Sequence, residues 1–567
     1  MRYHALACDY DGTIAHDGLV DERTIEALEQ VRRSGRKVIL VTGRELDDLI
    51  LVCPRLDLFD RVVAENGALL YRPSTREEKK LAEAPPEEFA RELARRGADR
   101  VSVGRVIVAT WEPHETTAVE VIRDLGLELQ VIFNKGAVMI LPSGVNKATG
   151  LHSALLELGL SVHNVVGVGD AENDHAFLHV CECSVAVANA LETLKQNVDW
   201  VTSKGHGEGT SELCRALIDS DLSHVEGRHN RLSIGKAEDG SEIIIPPYGT
   251  NVLIAGSSGG GKSTLATSFI ERLEERCYQC VIVDPEGDYS TFDGGVLLGN
   301  KESAPSVQEV LDVLSKPDQS VAVNLTGIGL KERPAFLEAL LPRLQELRAR
   351  TGRPHWILID EAHHMLPSSR KVAGFTVPQE MSGLMLITLE PDRVAPAILP
   401  SIDVVIAIGE NPEATMRTFA EAVGERPPRL TRRTLNPGEA VAWFRGAGKD
   451  PVWFRSTLPR VERRRHRRKY AEGQLPPDLC FYFRGPAGKL KLRAQNLAMF
   501  LQMAEGVDDD TWLFHLKEGD ISRWFRTVIK DPELAAHAEK LEKVEITAEQ
   551  SRKRIRTEIE QRYILAA

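Results

Sequence analysis

Short runs of consecutive apolar residues, each followed by glycines or acidic residues, recur in the N-terminal part of the chain. Three of them cover residues 6–8, 38–41 and 165–168, and helix-like segments separate them. Uninterrupted apolar runs of this length are typical of strands buried on both faces of a parallel sheet. The pattern predicts an α/β domain with a doubly wound parallel sheet over residues 1–220.

A second set of apolar runs follows at residues 251–255, 281–283, 356–359 and 384–387. These runs predict a second α/β domain over residues 249–459. Between the two domains, residues 221–248 are predicted to form a linker with a short β segment. After a basic linker at 460–474, amphipathic spacing at 490–504 and a charged helix at 533–563 predict a small, mainly helical domain over 475–567.

Polar side chains follow the three N-terminal strands, where open parallel sheets build their sites. With the glycine that follows Thr42 and a lysine that precedes a helix, the candidate residues are Asp9, Asp11, Thr42, Gly43, Arg44, Lys147, Asp170, Asn173 and Asp174. An aspartate can act as a nucleophile on phosphorus, and a second one beside it can transfer protons. A hydroxyl and an ammonium can hold phosphoryl oxygens, and further carboxylates are the hard ligands that magnesium prefers.

This set of motifs resembles the haloacid dehalogenase superfamily of phosphatases, and within it the Cof-type, sucrose-phosphatase-like branch, which the segment at 65–68 also matches. The resemblance implies that Asp9 forms an aspartyl-phosphate and that Asp11 protonates the leaving group and then activates water. It implies phosphate binding by Thr42, Gly43, Arg44 and Lys147. It implies a Mg²⁺ site built from Asp9, Asp11, Asp170, Asn173 and Asp174. In this branch a small α/β cap shapes the substrate pocket, and the segment at about 72–145 is predicted to be that cap.

The second domain carries a phosphate-binding loop in the right context. Residues 256–263 match G-x-x-x-x-G-K-[ST] between a strand and a helix predicted at 264–276, where backbone N–H groups and the helix dipole can hold phosphates. A hydrophobic strand ending in Asp360 and Glu361 is typical of a magnesium-binding aspartate and a catalytic glutamate. The predicted ATP-binding residues are Gly256, Ser257, Ser258, Gly259, Gly260, Gly261, Lys262, Ser263, Thr264, Asp360 and Thr388, of which Ser263 and Asp360 would ligate Mg²⁺.

These features resemble the HerA/FtsK superfamily of RecA-like P-loop ATPases over about residues 230–460. The resemblance implies ATP as ligand, a homo-oligomer of hexameric type and an arginine supplied by a neighbouring subunit. The candidates for that arginine are Arg393, Arg417, Arg426 and Arg429. The chain departs from the family at Leu389, where glutamine often follows the sensor threonine, and this weakens the expectation that hydrolysis drives motion.

The composition and charge of the chain limit the classes of partner that it can bind. The 567 residues are 42% hydrophobic and 27% charged, and the net charge is −12. A protein whose whole surface binds nucleic acid is therefore disfavoured. The one strongly basic run, at 460–469, carries seven cations and one acid. It either binds phosphate backbone or is an exposed linker.

No apolar run is long enough to cross a membrane, and a cytoplasmic location is expected. The pairs Cys181/Cys183 and Cys277/Cys280 are predicted to be buried, reduced thiols.

The sequence therefore supports two hypotheses. In the first, a magnesium-dependent phosphatase for a small phosphorylated metabolite such as a sugar phosphate is coupled to a ring-type ATPase. In the second, the chain is a nucleic-acid translocase or defence-type motor whose N-terminal domain processes nucleotide or end phosphates. The basic run favours the second hypothesis, and the acidic balance favours the first.

Overall fold

The computed structural model describes the chain except residues 226, 228–230, 258–259, 290–291, 293, 370–381, 431–434, 437, 447–449, 460–474, 476–478, 487, 489, 530 and 565–567. The described residues form two compact units, Met1–Thr457 and Leu458–Ala567. Among them, no helix is both long enough and apolar enough to cross a bilayer. The basic run at 460–469, together with the rest of the predicted linker at 460–474, lies outside the described residues.

The N-terminal domain is built on an eight-stranded sheet with the order β12-β11-β10-β1-β2-β3-β4-β5, parallel from β12 to β3 and antiparallel beyond it. Its strands are β1 (Ala5–Cys8), β2 (Lys37–Val41), β3 (Arg61–Ala64), β4 (Leu69–Arg72), β5 (Glu77–Lys80), β10 (Val165–Gly169), β11 (Cys183–Ala186) and β12 (Trp200–Val201). Its helices are α1 (Glu22–Arg33), α2 (Leu46–Val52), α5 (Lys147–Leu158), α6 (His175–Val180), α7 (Glu192–Lys195) and α8 (His206–Ser220). The three predicted strands are the central β1, β2 and β10, whose apolar side chains are fully buried.

The cap is a separate four-stranded antiparallel sheet with the order β6-β7-β9-β8, packed with two helices over its own apolar core. Its elements are α3 (Glu87–Arg95), β6 (Ser102–Val103), β7 (Val108–Trp111), α4 (Glu115–Asp124), β8 (Leu129–Asn134) and β9 (Ala137–Pro142). The prediction that the cap begins at 72 was wrong, because β5 pairs with β4 in the main sheet. The exposed, highly charged sequence of β5 contains no periodic signal that would assign it to either sheet.

The second domain is an eleven-stranded sheet with the order β14-β13-β23-β22-β21-β15-β20-β19-β16-β18-β17, parallel from β21 to β17. Its strands are β13 (Leu232–Ala237), β14 (Glu242–Ile245), β15 (Val252–Gly256), β16 (Cys280–Asp284), β17 (Gly295–Leu298), β18 (Ser320–Asn324), β19 (Trp356–Ile359), β20 (Leu384–Thr388), β21 (Val404–Ile408), β22 (Glu439–Phe444) and β23 (Val452–Ser456). Its helices are α9 (Lys262–Glu275), α10 (Val307–Leu314), α11 (Arg333–Thr351), α12 (Ala362–Met365) and α13 (Pro412–Val423). The strands expected in the linker are part of this sheet, because β13 pairs with β23, which lies more than 200 residues further along the chain.

The described residues of the C-terminal unit include five α-helices and a β-hairpin, which pack around aromatic side chains. Its elements are β24 (Phe481–Phe483), β25 (Leu492–Ala494), α14 (Leu497–Gly506), α15 (Asp509–Lys517), α16 (Asp520–Thr527), α17 (Pro532–Glu542) and α18 (Ala548–Ile559). Phe483, Phe500 and Trp512 are fully buried, so these aromatic residues form the core. The single helix predicted at 533–563 is two helices, because Thr547 caps a new one.

Candidate functional site

Asp9 lies at the carboxyl end of β1 and is bound by two side chains from different parts of the domain. Its Oδ1 accepts a hydrogen bond of 2.6 Å from Lys147 Nζ, and its Oδ2 accepts one of 3.2 Å from Thr13 Oγ1. The Thr13 hydroxyl also lies 3.4 Å from Asp170 Oδ1. Asp9 and Lys147 are both buried. The pair that the sequence predicted is therefore assembled across 138 residues of chain.

Lys147 is positioned by the start of α5. Asn146 caps this helix through the N–H groups of Ala148 and Thr149. The turn at Gly67 lies directly against it, and a Cβ added to Gly67 would clash with the Asn146 carbonyl oxygen. Gly67 also has φ of +104°, a conformation that glycine adopts at little cost. This close approach brings the Lys147 ammonium to the end of β1.

Asp170 and Asp174 occupy the loop after β10. Asp174 Oδ2 accepts the N–H groups of Asp170 and Ala171, and its Oδ1 accepts Lys147 Nζ at 2.6 Å. Both oxygens of Asp174 are therefore used to fix the loop and the lysine. Asn173 Nδ2 donates to Asn66 Oδ1, whereas Asn173 Oδ1 is buried and has no hydrogen-bond partner among the described residues.

Asp11 and Arg44 form a two-point ion pair at the mouth of the site. Arg44 Nε and one terminal nitrogen each lie 2.7 Å from a carboxylate oxygen of Asp11, and Arg44 also contacts Asp48. Thr42 is buried, and its hydroxyl accepts the Arg44 backbone N–H. A Cβ added to Gly43 would lie 3.5 Å from Asn173 Nδ2, so this backbone passes close to the loop after β10. All the site residues predicted in the N-terminal domain thus lie at one edge of its sheet.

The residues present fit a divalent cation. Carboxylate oxygens of Asp9, Asp170 and Asp174 lie within 4.8 Å of one another. These are hard oxygen donors of the kind that magnesium prefers, and Asn173, with its unpartnered Oδ1, belongs to the same loop as Asp170. The ammonium of Lys135 lies in this region, 2.9 Å from both Asp170 Oδ2 and the Asp11 carbonyl oxygen. The donor set therefore attracts a positive charge.

Burial and the neighbouring carboxylates shape the ionisation of this cluster. Burial, followed by the charge of Asp174, raises the pKa of Asp9 above its ordinary value. Burial opposes the charge on Lys147, but Asp174 and Asp9 outweigh it and raise the pKa of the lysine. Burial also raises the pKa of Asp170. An ammonium that remains charged is thus held between two buried carboxyl groups.

The cap is fastened to the core by a buried carboxylate. Glu65, which follows β3, accepts the backbone N–H groups of Arg105, Val106 and Ile107 at 2.7 to 2.9 Å. Arg105 in turn forms a two-point ion pair with Asp47 of α2. The sequence did not predict these contacts, nor those of Thr13 and Lys135. Only the position of Glu65 in a glycine-containing turn was a signal for its role.

The second site begins at the end of β15, where the predicted phosphate-binding loop follows and its lysine contacts the backbone of the same loop. Lys262 Nζ donates at 3.0 Å to the carbonyl oxygens of Gly256 and Ser257. A Cβ added to Gly256 would clash with the Ile408 carbonyl oxygen, which is why this position needs glycine. Burial lowers the pKa of Lys262, and the charges of Glu361 and Asp360 oppose this shift.

The described part of this loop has the strand–loop–helix arrangement that the sequence predicted. It comprises residues 256–257 and 260–264, whereas Ser258 and Gly259 lie outside the described residues. Gly261 has φ of +102° and directly precedes α9. Lys262, Ser263 and Thr264 form the first turn of this helix, so the lysine and the predicted magnesium ligand Ser263 stand together at its N-terminus.

The acidic pair of the second site follows β19. Asp360 Oδ1 accepts the N–H of Glu361, which has φ of +44°. Burial raises the pKa of Asp360 to about 7. His363 Nδ1 lies 3.4 Å from Glu361 Oε2 and 3.1 Å from Thr388 Oγ1, at the end of the adjacent strand β20. The structure thus connects the predicted catalytic glutamate to the predicted sensor threonine through a histidine to which the sequence assigned no role.

The two domains of the first unit meet around a buried carboxylate. Glu182 of the N-terminal domain binds Arg2 at 2.7 Å, His163 Nδ1 at 2.8 Å and the Tyr278 hydroxyl of the second domain at 2.9 Å. His163 also stacks on Tyr278 with ring centroids 3.7 Å apart. Burial opposes the charge on Glu182, but His163 and Arg2 outweigh it and lower the pKa of this carboxyl group.

The junction lies at the amino ends of both sheets. His163 lies just before β10, and Gln279 and His355 directly precede β16 and β19. Arg353 spans the junction by donating to the Gly159 carbonyl oxygen at 2.6 Å. Because both candidate sites lie at carboxyl ends of strands, they are on the sides of the two domains that face away from the junction.

The eight cysteines form no disulfide. Cys181, Cys183 and Cys280 are buried, as predicted, but the prediction for Cys277 was wrong because its side chain is exposed. Cys277 has φ of +58° in the turn after α9 and borders a cavity of about 700 Å³ at the junction. Its position in a turn, rather than in a strand, explains the exposure.

Comparisons with known proteins agree with the two-domain arrangement. Residues 6–101 and 106–213 match the family model of haloacid dehalogenase-like hydrolases, and residues 248–343 match that of the central domain of the helicase HerA. The phosphoglycolate phosphatase of Methanothermobacter thermautotrophicus is 30% identical over 223 residues, which are 38% of this chain and 98% of that protein. The phosphoglycolate phosphatase of Methanobrevibacter smithii is 26% identical over 233 residues, covering 38% of this chain and 100% of that protein.

A solved haloacid dehalogenase-like hydrolase from Bacteroides thetaiotaomicron is 19% identical, covers 38% of this chain and 99% of its own, and has a TM-score of 0.34. The family models and the 30% identical relative show the family of the chain. The chain is therefore an enzyme that belongs to the haloacid dehalogenase-like hydrolases through a phosphatase domain at residues 6–213, and it joins this domain to a HerA-type ATPase domain.

Proposed function

We propose that the phosphatase domain hydrolyses a small phosphate ester through an aspartyl-phosphate on Asp9, with Mg²⁺ as cofactor, and that the second domain binds and hydrolyses ATP. The observation that supports the first activity most strongly is the arrangement around Lys147. Its ammonium lies 2.6 Å from both Asp9 and Asp174, and Asp170 lies beside them. A buried, charged lysine next to an aspartate at a sheet edge is suited to hold an anionic phosphoryl group.

In the first proposed step, an Asp9 carboxylate oxygen attacks phosphorus and forms a P–O bond as the ester P–O bond breaks. The Asp11 carboxyl group gives its proton to the departing ester oxygen, which leaves as an alcohol. Both oxygens of Asp11 accept from Arg44 at 2.7 Å in this structure, so the proposed step requires Asp11 to release at least one of these contacts before it donates its proton. Lys147 and the Thr42 hydroxyl hold the non-reacting phosphoryl oxygens.

In the second proposed step, Asp11 is a carboxylate and removes a proton from water. The water oxygen bonds to phosphorus, the bond between phosphorus and Asp9 breaks, and inorganic phosphate is released. Asp9 returns as a carboxylate, and the proton on Asp11 restores the starting state.

Asp9, Asp170 and the Asp11 carbonyl oxygen would hold Mg²⁺, with Asn173 and Asp174 supporting them. The ion would reduce the repulsion between the Asp9 carboxylate and an anionic substrate. Asp174 has both oxygens engaged with Lys147 and with backbone N–H groups, so we assign it to positioning rather than to direct ligation.

The substrate we propose is small, because the cap is fastened over the site through Glu65 and Arg105. Sugar phosphates and short phosphorylated acids are both of this size. The matching relatives are named phosphoglycolate phosphatases, so 2-phosphoglycolate belongs in the first panel of substrates.

The test compares wild type with Asp9→Asn on a panel of sugar phosphates and 2-phosphoglycolate, with and without Mg²⁺. We expect phosphate release to depend on Mg²⁺ and to fall at least about a thousandfold in Asp9→Asn, because the nucleophile is removed. Asp17→Asn is the matched control, since Asp17 lies in the loop after the same strand but its side chain is 90% exposed. Equal activity of Asp9→Asn and wild type would exclude the mechanism.

For the second domain, we propose that Lys262 binds the ATP phosphates, that Ser263 and Asp360 hold Mg²⁺ and that Glu361 orients the attacking water. Lys262→Ala is expected to abolish Mg²⁺-dependent ATP turnover. We further propose a homo-oligomer, and light scattering with and without ATP tests whether it is a hexamer. A chain that stays monomeric with ATP bound would contradict this part of the proposal.

A second candidate function is nucleic-acid translocation, which the match to the central domain of the helicase HerA favours. In that case DNA should stimulate ATP turnover, and the stimulation should fall steeply as salt rises. If no nucleic acid changes the rate, the metabolic function is favoured.

A further inference from the structure

The cap presents one lysine directly to the phosphatase site. Lys135 and Gly136 form the two-residue turn between β8 and β9, with φ of +48° and +86°. Positive φ at both positions is typical of a type I′ turn, in which asparagine, aspartate and glycine are preferred. A lysine at such a position bears a conformational cost, and costs of this kind are concentrated at functional sites.

The Lys135 ammonium lies on two of the oxygens proposed to hold the metal. Its Nζ is 2.9 Å from the Asp11 carbonyl oxygen and 2.9 Å from Asp170 Oδ2. The other cations of the site are committed elsewhere, since Lys147 contacts Asp9 and Asp174 and Arg44 contacts Asp11. Within the described residues, the salt bridge of Asp170 is the one with Lys135.

A Mg²⁺ ion bound to the Asp11 carbonyl oxygen and to Asp170 Oδ2 would lie where the Lys135 ammonium lies, and the two positive charges would repel each other. Binding of Mg²⁺ through these two oxygens would therefore displace the Lys135 ammonium. The displaced side chain remains near the site, because Glu65 and Arg105 fasten the cap to the core. The Lys135 side chain is 47% exposed, so it has room to turn away from Asp170.

We propose that Lys135 is a specificity-determining residue of the phosphatase: its ammonium rests on the Mg²⁺ ligands, is displaced when the ion binds, and then binds a second anionic group of the substrate. This inference rests on the proposed phosphatase function. Because the Lys135 ammonium pairs with a carboxylate oxygen of Asp170 before it is displaced, it is suited to bind a carboxylate afterwards, and the proposed substrate class is small phosphate esters that also carry a carboxylate. Met139 of the cap lies next to Gly43 and would offer an apolar contact at that side of the site.

The first experiment titrates MgCl₂ alone into the full chain by isothermal titration calorimetry. Lys135→Met is expected to bind Mg²⁺ roughly fivefold more tightly than wild type, because the competing ion pair is removed. Lys135→Arg, which keeps the charge, should stay close to wild type. Lys37→Met is the matched control, because Lys37 is 48% exposed and pairs with Asp60 at 3.1 Å at the amino end of β2, away from the site.

The second experiment compares kcat/KM for 2-phosphoglycolate and ethyl phosphate, which differ in a carboxylate against a methyl group. Wild type should have the higher kcat/KM for 2-phosphoglycolate. In Lys135→Met the ratio of the two kcat/KM values should fall about tenfold. The proposal requires both results, so an unchanged Mg²⁺ affinity or an unchanged preference overturns it. Failure of the phosphatase function itself would appear as Asp9→Asn retaining wild-type activity, while the Mg²⁺ titration would still report on Lys135.

Discussion

The most demanding prediction concerns the buried lysine between two carboxylates. Lys147→Met replaces an ammonium that is 1% exposed with an apolar side chain of similar length. Asp9 and Asp174 then remain buried without their cation, since both contacts of 2.6 Å are lost. We expect a large loss of stability, because the remaining charges are desolvated and unpaired.

The magnitude follows from this geometry. Removing one partner of a buried ion pair costs about 3–5 kcal/mol, and the lower value applies here because Asp9 can take up a proton. A loss of ~3 kcal/mol lowers the melting temperature of a domain of 150–250 residues by roughly 6–12 °C. Lys147→Arg, which retains the charge, should lose less.

The loss should depend on pH. The folded-state pKa of Asp9 is raised by burial and by Asp174, and it rises further without Lys147. The native variant then binds a proton that the unfolded chain has released, so its stability falls as pH rises from the unfolded pKa towards the folded one. The deficit relative to wild type is therefore expected to be larger at pH 8 than at pH 5.5.

Differential scanning calorimetry of the full chain at both pH values measures this effect, with Lys37→Met as the control for loss of a half-exposed lysine. A Lys147→Met protein that melts within about 2 °C of wild type at pH 8 would refute the reasoning. A deficit that is the same at both pH values would show that the carboxyl groups do not titrate as argued.

Three further predictions concern the second domain and the junction. Glu182→Gln should lower the free energy of unfolding by about 2–3 kcal/mol in urea, because His163 and Arg2 lose their anionic partner. Glu77→Gln, on an exposed strand, is the control and should have little effect. Equal losses of stability in the two variants would contradict this prediction. Because the pKa of Asp360 is raised to about 7, the binding of Mg·ATP should become tighter from pH 6 to pH 8 and should release a proton from this carboxyl group. Calorimetry in buffers of different ionisation enthalpy measures the proton release. Binding that does not depend on pH would contradict this prediction. Ellman's reagent should label one thiol, Cys277, in the native protein and all eight after denaturation; rapid native labelling of more than one would contradict the burial of the others.

Local patterns in the chain were enough to predict the two α/β domains and to propose candidate site residues at the ends of their strands. Asp9, Thr42 and Asp170 each follow a continuous apolar run, and such runs become central strands because both of their faces must be buried. The phosphate-binding loop was equally clear, because its glycines and lysine stand between a strand and a helix in the chain itself. In both cases the signal comes from adjacent residues, and so it can be found without knowing the fold.

Contacts between segments that are distant in the chain could not be predicted from the sequence and are found only in the tertiary structure. The assignment of β5 and β13, the buried junction at Glu182 and the link from His363 to Thr388 have no local pattern. Lys135 is the clearest example, since its sequence context is that of an ordinary turn lysine, yet the cap brings it 2.9 Å from Asp170, 35 residues away. Charges over such separations interact only when the fold removes the intervening water and fixes the distance, and the position of a residue in the chain does not encode that distance.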